Sequence, residues 1–360
     1  MRPASGVVQP HPPGGRMRPA TGESTPLPRQ GIFGIMSRMR TPSVYVVWLE
    51  WPEKCFRAGE EDIRFLRSLV PAGSRVVRAR SEGAFLRALP KATHAIVWHF
   101  REEWFARAPR LRVLATPSAG REFLPKEGPK GVKVHFGAFH GPIISETVLG
   151  FMLAWSRGFF RKGPLWRRAE LSERCGDLEG TTAVIAGFGR IGRAIAARIE
   201  PFGVKCIGIT RHGIFEGSRV REYKGSRVQG GKGPRDIYRR ADWFILALPS
   251  DTDTDDFLDG RAMRLLPKKC VVINVGRGNS VDEGALLAAL REGRLAGAYL
   301  DVFKQEPTAL NPKVGPNGRG LAALKSAPPN LVRMPHSSAF SPRYLKECFR
   351  ELSRDGLLNS

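Results

Sequence analysis

The stretch TAVIAGFGRIGR, residues 182–193, joins a run of small apolar residues to a glycine-rich turn and the first residues of a helix. A short buried strand that turns through glycines into a helix is typical of a pyrophosphate-binding loop. In such a loop Gly187 allows the tight turn, Gly189 lets backbone approach the phosphates, and Gly192 lets the helix pack on the strand. The N–H groups of the first helical turn then face the anion. The stretch therefore predicts a dinucleotide site.

The composition around this stretch is that of a globular protein of two domains. The chain has 360 residues, of which 42% are apolar and 26% charged. No run of 18 apolar residues occurs and the N-terminus lacks an apolar signal core, so no membrane segment is expected. The five cysteines are scattered without a paired motif, which favours a reducing cytoplasm over a disulfide scaffold or a metal site.

The formal net charge of +24 leaves two interpretations open. One is a nucleic-acid partner, because Lys and Arg contacts to phosphate dominate such binding. The other is an Arg-rich composition that serves an anionic substrate and cofactor. The basic residues are spread along the chain without a motif that reads DNA or RNA, which favours the second interpretation.

Residues 1–43 differ from the rest of the chain. They are dense in Pro and Gly, and carry six Arg against one Glu. Such a segment cannot bury enough apolar surface to offset the entropy of ordering, so we expect it to be disordered. It is either an Arg-rich transit peptide or the product of an over-long translation start. The second is favoured, with the true start at Met36 or Met39.

From Ser43 onward, apolar strands alternate with amphipathic helices, which predicts an α/β fold with parallel sheets. Residues 44–143, with 336–360, lack a glycine fingerprint and are predicted to form the substrate domain. Residues 144–335 are predicted to form the dinucleotide-binding domain, and a long apolar helix over 142–160 links the two. A glycine-rich basic loop is predicted from Arg211 to Arg235.

Polar residues follow the strands of the second domain, where ligands bind to a doubly wound sheet. Because the carboxyl ends of parallel strands meet at one edge, we expect their side chains to gather near the nicotinamide end of a dinucleotide. The residues expected to gather are Arg277, Asp301, Glu306 and His336, and Pro249 precedes a polar loop after another strand of the same sheet.

Arg, Glu and His in this arrangement suit hydride transfer to a carbonyl. The fixed fork of Arg277 can hold a carboxylate and polarise a C=O bond. His336 can protonate the forming alkoxide, and Glu306 beside it would favour the protonated imidazole. Simpler interpretations are a surface turn for Arg277, a solvated acid for Glu306 and a helix cap for His336. The occurrence of all three, in this order and after a fingerprint, favours the catalytic one.

The stretch from about Leu111 to Ser341 resembles the D-isomer-specific 2-hydroxyacid dehydrogenases. INVGRGNSVDEGALLAALREGRLAGAYLDVFKQEP is close to the signature of that family, and MPHSS matches its histidine motif. The resemblance implies two flavodoxin-like or Rossmann-like doubly wound domains joined by crossing helices, in a homodimer. It also implies that Arg277 binds substrate and polarises the carbonyl, that Glu306 is the acid partner, and that His336 exchanges the proton.

The same resemblance implies the ligand contacts. The substrate-binding residues would be Ala119, Gly120, Arg277 and His336, with backbone N–H groups of the first two holding the carboxylate. Asp301 would hold the nicotinamide carboxamide, and Ser338 would lie near that ring. Arg190 and Ile191 would meet the pyrophosphate. The residues expected to bind the cofactor are Gly187, Gly189, Arg190, Ile191, Gly192, Thr210, Arg211, Leu248, Pro249, Thr254, Val275, Gly276, Arg277, Asp301, His336 and Ser338.

Three features depart from the family pattern. NAD-type members carry an acidic residue at the end of the second strand, where this chain has Thr210 and Arg211. An acidic residue would repel a 2′-phosphate whereas Thr with Arg would accept one, so NADP(H) is favoured over NAD(H); alternatively, Arg211 only stacks beside the adenine and either cofactor binds. The C-terminal helix after His336 is short for the family. The sequence before Leu111 matches only in pattern, so no substrate identity is carried over.

The expected function is a cytoplasmic NAD(P)-dependent oxidoreductase of small 2-hydroxy and 2-oxo acids, similar to glyoxylate and hydroxypyruvate reductases. Phosphoglycerate and formate dehydrogenases of the same family are alternatives, because they share this machinery. A dehydrogenase-like corepressor that senses nucleotide state is an alternative of another class, and the net charge of +24 is the observation that supports it. The complete catalytic set favours the enzyme.

Overall fold

A computed structural model of the protein describes residues 42–121, 123–160, 172, 175–216, 219–221, 235–305 and 327–359. Nearly all of the N-terminal segment that was expected to be disordered lies outside the described residues. The strands are β1 (Val44–Trp48), β2 (Arg75–Arg78), β3 (His94–Val97), β4 (Val113–Thr116), β5 (Lys133–Phe136), β6 (Thr182–Ala186), β7 (Lys205–Thr210), β8 (Gly213–Glu216), β9 (Arg219–Arg221), β10 (Trp243–Leu246), β11 (Val271–Asn274), β12 (Gly297–Leu300) and β13 (Leu331–Arg333).

Helices alternate with these strands as the sequence predicted. The α-helices are α1 (Glu60–Leu69), α2 (Glu82–Ala88), α3 (Gly141–Ser156), α4 (Arg190–Ile199), α5 (Arg235–Tyr238), α6 (Gly260–Met263), α7 (Glu283–Arg291) and α8 (Tyr344–Arg354). Short 3-10 helices occupy Lys54–Phe56, Leu89–Lys91, Glu102–Arg107, Glu200–Phe202, Thr252–Thr254 and Gly278–Ser280. Among the helices of the described ranges, none is both long enough and apolar enough to cross a bilayer.

The first five strands form a parallel sheet in the order β2-β1-β3-β4-β5. Strand β1 shows why both faces are covered. Tyr45 and Val47 point into one apolar core, and Val46 and Trp48 into the other, because successive side chains of a strand alternate. We refer to this sheet with α1, α2 and α8 as the first lobe.

The second sheet has the order β13-β12-β11-β10-β6-β7-β8-β9 and is parallel from β13 to β7. Later strands extend it from β10 outward on one side of β6, and β7 lies on the other side. A crevice therefore opens at the carboxyl end of β6, where the strand order reverses, and this is where the glycine turn lies. We refer to this sheet with α4 to α7 as the second lobe.

The prediction of a basic loop from Arg211 to Arg235 is partly wrong. Strands β8 and β9 continue the sheet antiparallel to β7, and residues 217–218 and 222–234 lie outside the described residues. Ile214 is 2% exposed in the core, and the ring of Phe215 stacks on that of Phe188 at 5.5 Å. The alternation of these two side chains was hidden in the sequence by the surrounding Gly, Arg and Lys.

Helix α3 is the link between the lobes that the sequence predicted. Ile143 packs into the core beneath the first sheet, whereas Ile144 and Val148 pack into that of the second. Its close fit to the second lobe depends on Gly297, because a Cβ there would lie 2.0 Å from the ring of Trp155.

Helix α8 is short, yet it packs on the first lobe. Its Leu345, Phe349 and Leu352 share a core with Ile63 and Leu66 of α1. The chain thus returns to the first lobe after β13. The boundaries predicted for the two domains, at residues 143 and 336, stay a prediction.

Candidate active site

The glycine turn between β6 and α4 has the backbone geometry of a pyrophosphate loop. Gly187 has a φ of +91°, and a Cβ atom there would lie 2.5 Å from the carbonyl oxygen of Ala247. A Cβ on Gly192 would lie 2.3 Å from the carbonyl oxygen of Gly187. A larger residue at either position would push the turn away from its neighbours, so the structure agrees with the predicted roles of Gly187 in the turn and of Gly192 in helix packing.

Gly189 differs, because a Cβ there would meet no atom within 4 Å. Its open side borders Arg190, where α4 begins. The N–H groups of the first turn of α4 have no partner within the helix. Ile191 packs against the core beneath, and the Arg190 side chain is 69% exposed. An accessible backbone at a helix N-terminus fits the pyrophosphate of a dinucleotide.

The end of β7 was predicted to contact the adenosine ribose. The Thr210 hydroxyl donates to the carbonyl oxygen of Gly213 at 3.1 Å and accepts from the N–H of His212 at 3.2 Å. The Arg211 guanidinium forms an ion pair with Asp251, with Nη2 3.5 Å from Oδ2. The Thr210 hydroxyl is thus hydrogen-bonded within the turn. Arg211 pairs with the carboxylate of Asp251, which was not predicted from the sequence.

The loop after β10 is held by Thr254, which is 7% exposed. Its hydroxyl lies 2.8 Å from the carbonyl oxygens of both Pro249 and Asp251. On its other side the loop packs closely against Gly276, because a Cβ on Gly276 would lie 2.6 Å from the N atom of Leu248. These contacts shape the loop, and cofactor binding by Leu248, Pro249 and Thr254 stays a prediction.

Arg277 is flanked by two glycines that each lie against a neighbouring loop. A Cβ on Gly276 would lie 2.7 Å from the carbonyl oxygen of Leu248, and one on Gly278 would lie 1.9 Å from the carbonyl carbon of Phe303. The Arg277 backbone is thus confined between the loops after β10 and β12. Its Nη1 donates to the carbonyl oxygen of Gly276 at 2.9 Å.

Asn274, at the end of β11, supports this loop from within and was not predicted. It is completely buried, its Nδ2 donates to the carbonyl oxygen of Arg277 at 3.0 Å, and its Oδ1 accepts from the N–H of Gly276 at 3.1 Å. The Ser280 hydroxyl also donates to the Arg277 carbonyl oxygen, at 2.7 Å. Val275 is 4% exposed, so its side chain packs in the core. The signal for Asn274 was a polar residue ending a buried apolar strand.

Asp301 fixes the loop that carries His336. Its Oδ1 accepts from the N–H groups of Ser337 and Ser338 at 2.8 and 3.1 Å, and its carbonyl oxygen accepts from the N–H of His336 at 2.8 Å. His336 has a φ of +53°, in the left-handed region that non-glycine residues seldom occupy. These bonds offset the cost of that conformation and leave the His336 side chain exposed.

Ser338 is 1% exposed, and both its side chain and its backbone form hydrogen bonds. Its hydroxyl lies 3.0 Å from Tyr299 Oη, and its carbonyl oxygen accepts from the Thr147 hydroxyl at 2.9 Å. Burial raises the pKa of Tyr299 to about 12, which keeps this pair neutral. Ser338 thus anchors the histidine loop to α3, and its contact with the nicotinamide, like that of Asp301, stays a prediction.

The predicted substrate loop follows β4. Ala119 is exposed, whereas Gly120 is buried and its N–H donates to the Ser118 hydroxyl at 3.0 Å. The loop is tied to β5, because the N–H of Gly137 donates to the carbonyl oxygens of Thr116 and Ser118 at 3.0 and 2.9 Å. A carboxylate that binds Gly120 would have to replace the Ser118 hydroxyl, so this contact stays a prediction.

His140, just before α3, was not predicted. It is 6% exposed, its Nε2 lies 2.9 Å from Tyr344 Oη, and its Nδ1 has no hydrogen-bond partner among the described residues. Burial lowers its pKa from 6.5 to about 4; Glu351 opposes this, and the charges of Arg277 and His336 reinforce it. The positive charges of the two predicted catalytic residues thus disfavour a proton on this buried imidazole.

We expect this imidazole to destabilise the protein in acid. Unfolded His140 takes up a proton below about pH 6.5, whereas the folded site stays neutral down to about pH 4. The free energy of unfolding should therefore fall by about 2 to 3 kcal/mol from this group as the pH is lowered between those values. Urea unfolding at pH 7 and 4.5 would show a smaller fall for His140→Gln than for the unchanged protein. The exposed His212→Gln is the matched control, and equal falls in all three proteins would contradict the assignment.

Two further residues of the predicted site are Glu306 and Arg190. Glu306, the predicted acid partner, lies outside the described residues. Arg190 extends across to the first lobe, where its Nη1 lies 3.5 Å from Glu351 Oε1 on α8. Burial alone would raise the pKa of Glu351, but hydrogen bonds from His135 and the Ala138 N–H, with the charges of His135 and Arg190, lower it. An ionised Glu351 thus pairs with the arginine of the glycine turn.

Comparison with known proteins agrees with this geometry. Residues 149–338, more than half of the chain, match the profile described as "D-isomer specific 2-hydroxyacid dehydrogenase, NAD binding domain". The glyoxylate reductase of Aeropyrum pernix is 31% identical over 253 residues, which are 65% of this chain and 69% of that protein. This chain belongs to the D-isomer specific 2-hydroxyacid dehydrogenase family. The predicted family is therefore confirmed.

Other members of this dehydrogenase family extend the comparison. The glyoxylate reductase of Thermococcus kodakarensis is 30% identical over 222 residues; the match covers 57% of this chain and 64% of that relative's length. The D-3-phosphoglycerate dehydrogenase of Methanocaldococcus jannaschii is 29% identical, with 40% of its length covered. A solved family member from Aeromonas salmonicida has a TM-score of 0.63 and 25% identity, over 88% of this chain and 96% of that one. The predicted fold class of two parallel-sheet α/β lobes is confirmed.

Proposed function

We propose that this chain is an NAD(P)-dependent oxidoreductase that interconverts small 2-oxo acids and 2-hydroxy acids, as a glyoxylate or hydroxypyruvate reductase does. The observation that supports this best is that Arg277 and His336 follow β11 and β13 of one parallel sheet, with their backbones held by Asn274 and Asp301. Both lie at the carboxyl edge of the sheet that carries the glycine turn. A guanidinium and an imidazole beside a dinucleotide loop are the groups that reduction of a 2-oxo acid requires.

Each residue has a defined part in this proposal. Gly187 to Gly192 hold the pyrophosphate, and the bound nicotinamide supplies or accepts the hydride. Arg277 holds the substrate carboxylate and polarises the carbonyl, with its backbone kept in place by Asn274. His336 protonates the carbonyl oxygen as it becomes a hydroxyl, and accepts that proton in the oxidation. Glu306 favours the protonated imidazole.

The test is turnover by the purified full chain with NADPH and a panel of 2-oxo acids, including glyoxylate and hydroxypyruvate. We expect loss of the reduced-nicotinamide absorbance, with kcat/KM of about 10⁴ M⁻¹s⁻¹ or more for the best acid. Aldehydes that lack the carboxylate are the control and should react far more slowly, because Arg277 has nothing to hold. Cofactor binding without turnover of any acid would contradict the enzyme.

The finer features of the reaction are part of the same proposal. NADP(H) is the favoured cofactor, because Thr210 and Arg211 replace the acidic residue of NAD-type members. A homodimer is supported by the turn that follows α3, where Phe159 and Phe160 are 71% and 38% exposed and a second copy would cover them. The cytoplasm suits the cysteines, which are all free.

Phosphoglycerate oxidation is a second candidate within the family. It is supported by the Methanocaldococcus jannaschii relative, which carries that name. The panel should therefore include 3-phosphoglycerate with NAD⁺ and NADP⁺. A nucleotide-sensing corepressor becomes the better proposal if the chain binds cofactor, turns over nothing and binds DNA at about 150 mM salt.

A further inference from the structure

The Arg211–Asp251 ion pair crosses the crevice at the switch point of the second sheet. Arg211 follows β7, on one side of β6, and Asp251 follows β10, on its other side. To meet with Nη2 3.5 Å from Oδ2, the two side chains must span the carboxyl end of β6, above the glycine turn. The adenosine half of a dinucleotide held by that turn enters between these two loops.

The Asp251 carboxylate can accept a hydrogen bond from a ligand in this crevice. The Thr210 hydroxyl, which occupies the position of the acidic residue of NAD-type members, is engaged in the β7–β8 turn. Asp251 Oδ1 is buried and has no hydrogen-bond partner among the described residues. A buried carboxylate oxygen without a donor is costly, so it favours any ligand hydroxyl that can reach it. A ribose 2′-hydroxyl is such a donor.

We propose that Asp251 sets the selectivity between the two nicotinamide dinucleotides by exchanging partners with Arg211. With an unphosphorylated ribose, Asp251 keeps its pair with Arg211 and Oδ1 accepts the 2′-hydroxyl. With a 2′-phosphate, Arg211 leaves Asp251 for the phosphate, and Asp251 faces a like charge. Asp251 thus opposes the NADP(H) preference that Arg211 creates. This inference rests on the proposed use of a nicotinamide dinucleotide.

The experiment is calorimetric titration of the full chain with NADH and with NADPH, without substrate, at low ionic strength. In Asp251→Asn we expect the Kd for NADPH to fall about tenfold relative to that for NADH. A full charge-assisted contact would give a larger shift, but the Arg211 side chain is 65% exposed and solvent screens it. The Asn variant keeps the size of the side chain, and its melting temperature should stay near that of the unchanged protein.

Two further variants make the test decisive. Asp253→Asn changes the same charge on the same loop, at an exposed residue, and should shift the Kd ratio little. In the Arg211→Ala background, Asp251→Asn should lose the part of its effect on NADPH that comes from competition for the guanidinium and keep only the smaller part that comes from repulsion of the phosphate. Equal changes for both dinucleotides, an equal shift with Asp253→Asn, or a full shift without Arg211 would each overturn the partner exchange. Failure of the unchanged protein to bind either dinucleotide would instead overturn the proposed function.

Discussion

Arg277→Ala is expected to lower kcat/KM for 2-oxo acid reduction by about a thousandfold. Loss of a charge-assisted, two-pronged contact to the substrate carboxylate and carbonyl removes about 4 kcal/mol from the transition state. The fold should be preserved, because the loop geometry depends on Gly276, Gly278 and Asn274. Among the described residues, the hydrogen bond that the side chain itself adds is the one from its Nη1 to the Gly276 carbonyl oxygen.

Steady-state kinetics and a melting curve test this expectation together. Arg277→Lys is the matched variant, since it keeps the charge but lacks the planar fork; we expect it to recover only part of the loss. Binding of NADPH should change little in both variants. A melting temperature that drops in step with activity would show that Arg277 supports the loop and does not act on substrate.

His336→Asn is expected to lower kcat by about a hundredfold or more, because the amide cannot transfer the proton. Asn is the appropriate replacement for this backbone, since His336 has a φ of +53° and Asn occupies the left-handed region more readily than most residues. A large drop in stability is therefore not expected. A β-branched residue such as Val would add backbone strain, so a loss of stability could not be separated from a loss of proton transfer.

The pH dependence of kcat/KM separates catalysis from structure at this position. A general acid should give a limb in the profile that His336→Asn abolishes, and His140→Gln should leave that limb in place. His140 serves as the control because its pKa, lowered by burial to about 4, lies below the range of such a limb. A profile that keeps the limb in His336→Asn would assign the proton to another group.

The parts of the site that could be predicted from sequence are those whose chemistry is local. The glycine turn needs a positive φ at Gly187 and small residues against neighbouring backbone, and both requirements appear in the structure. The glycines on each side of Arg277 meet the second requirement alone, because they lie against neighbouring backbone without a positive φ. Strand and helix periodicity predicted the parallel sheets and the linking helix α3, because burial imposes a period of 2 or 3.6 on consecutive residues.

Contacts between residues far apart in sequence carried no such signal. Arg211 and Asp251 are 40 positions apart and meet only because β7 and β10 flank β6. Arg190 pairs with Glu351 only because the chain returns to the first lobe and places α8 there. Strand β8 was concealed by a basic, glycine-rich composition, and its pairing with β7 is a tertiary preference that overrides local propensity.

Sequence by itself therefore determined the family, the fold class and which residue types stand at the carboxyl ends of the strands. The tertiary structure alone decided their surroundings. It supported Arg277 and His336 through Asn274 and Asp301, buried His140 against Tyr344, and set Asp251 against Arg211. The physical reason is that a backbone turn depends on the few residues that form it. A pKa, an ion pair or a buried acceptor depends on everything within a few ångströms, and that neighbourhood exists only after the lobes have folded.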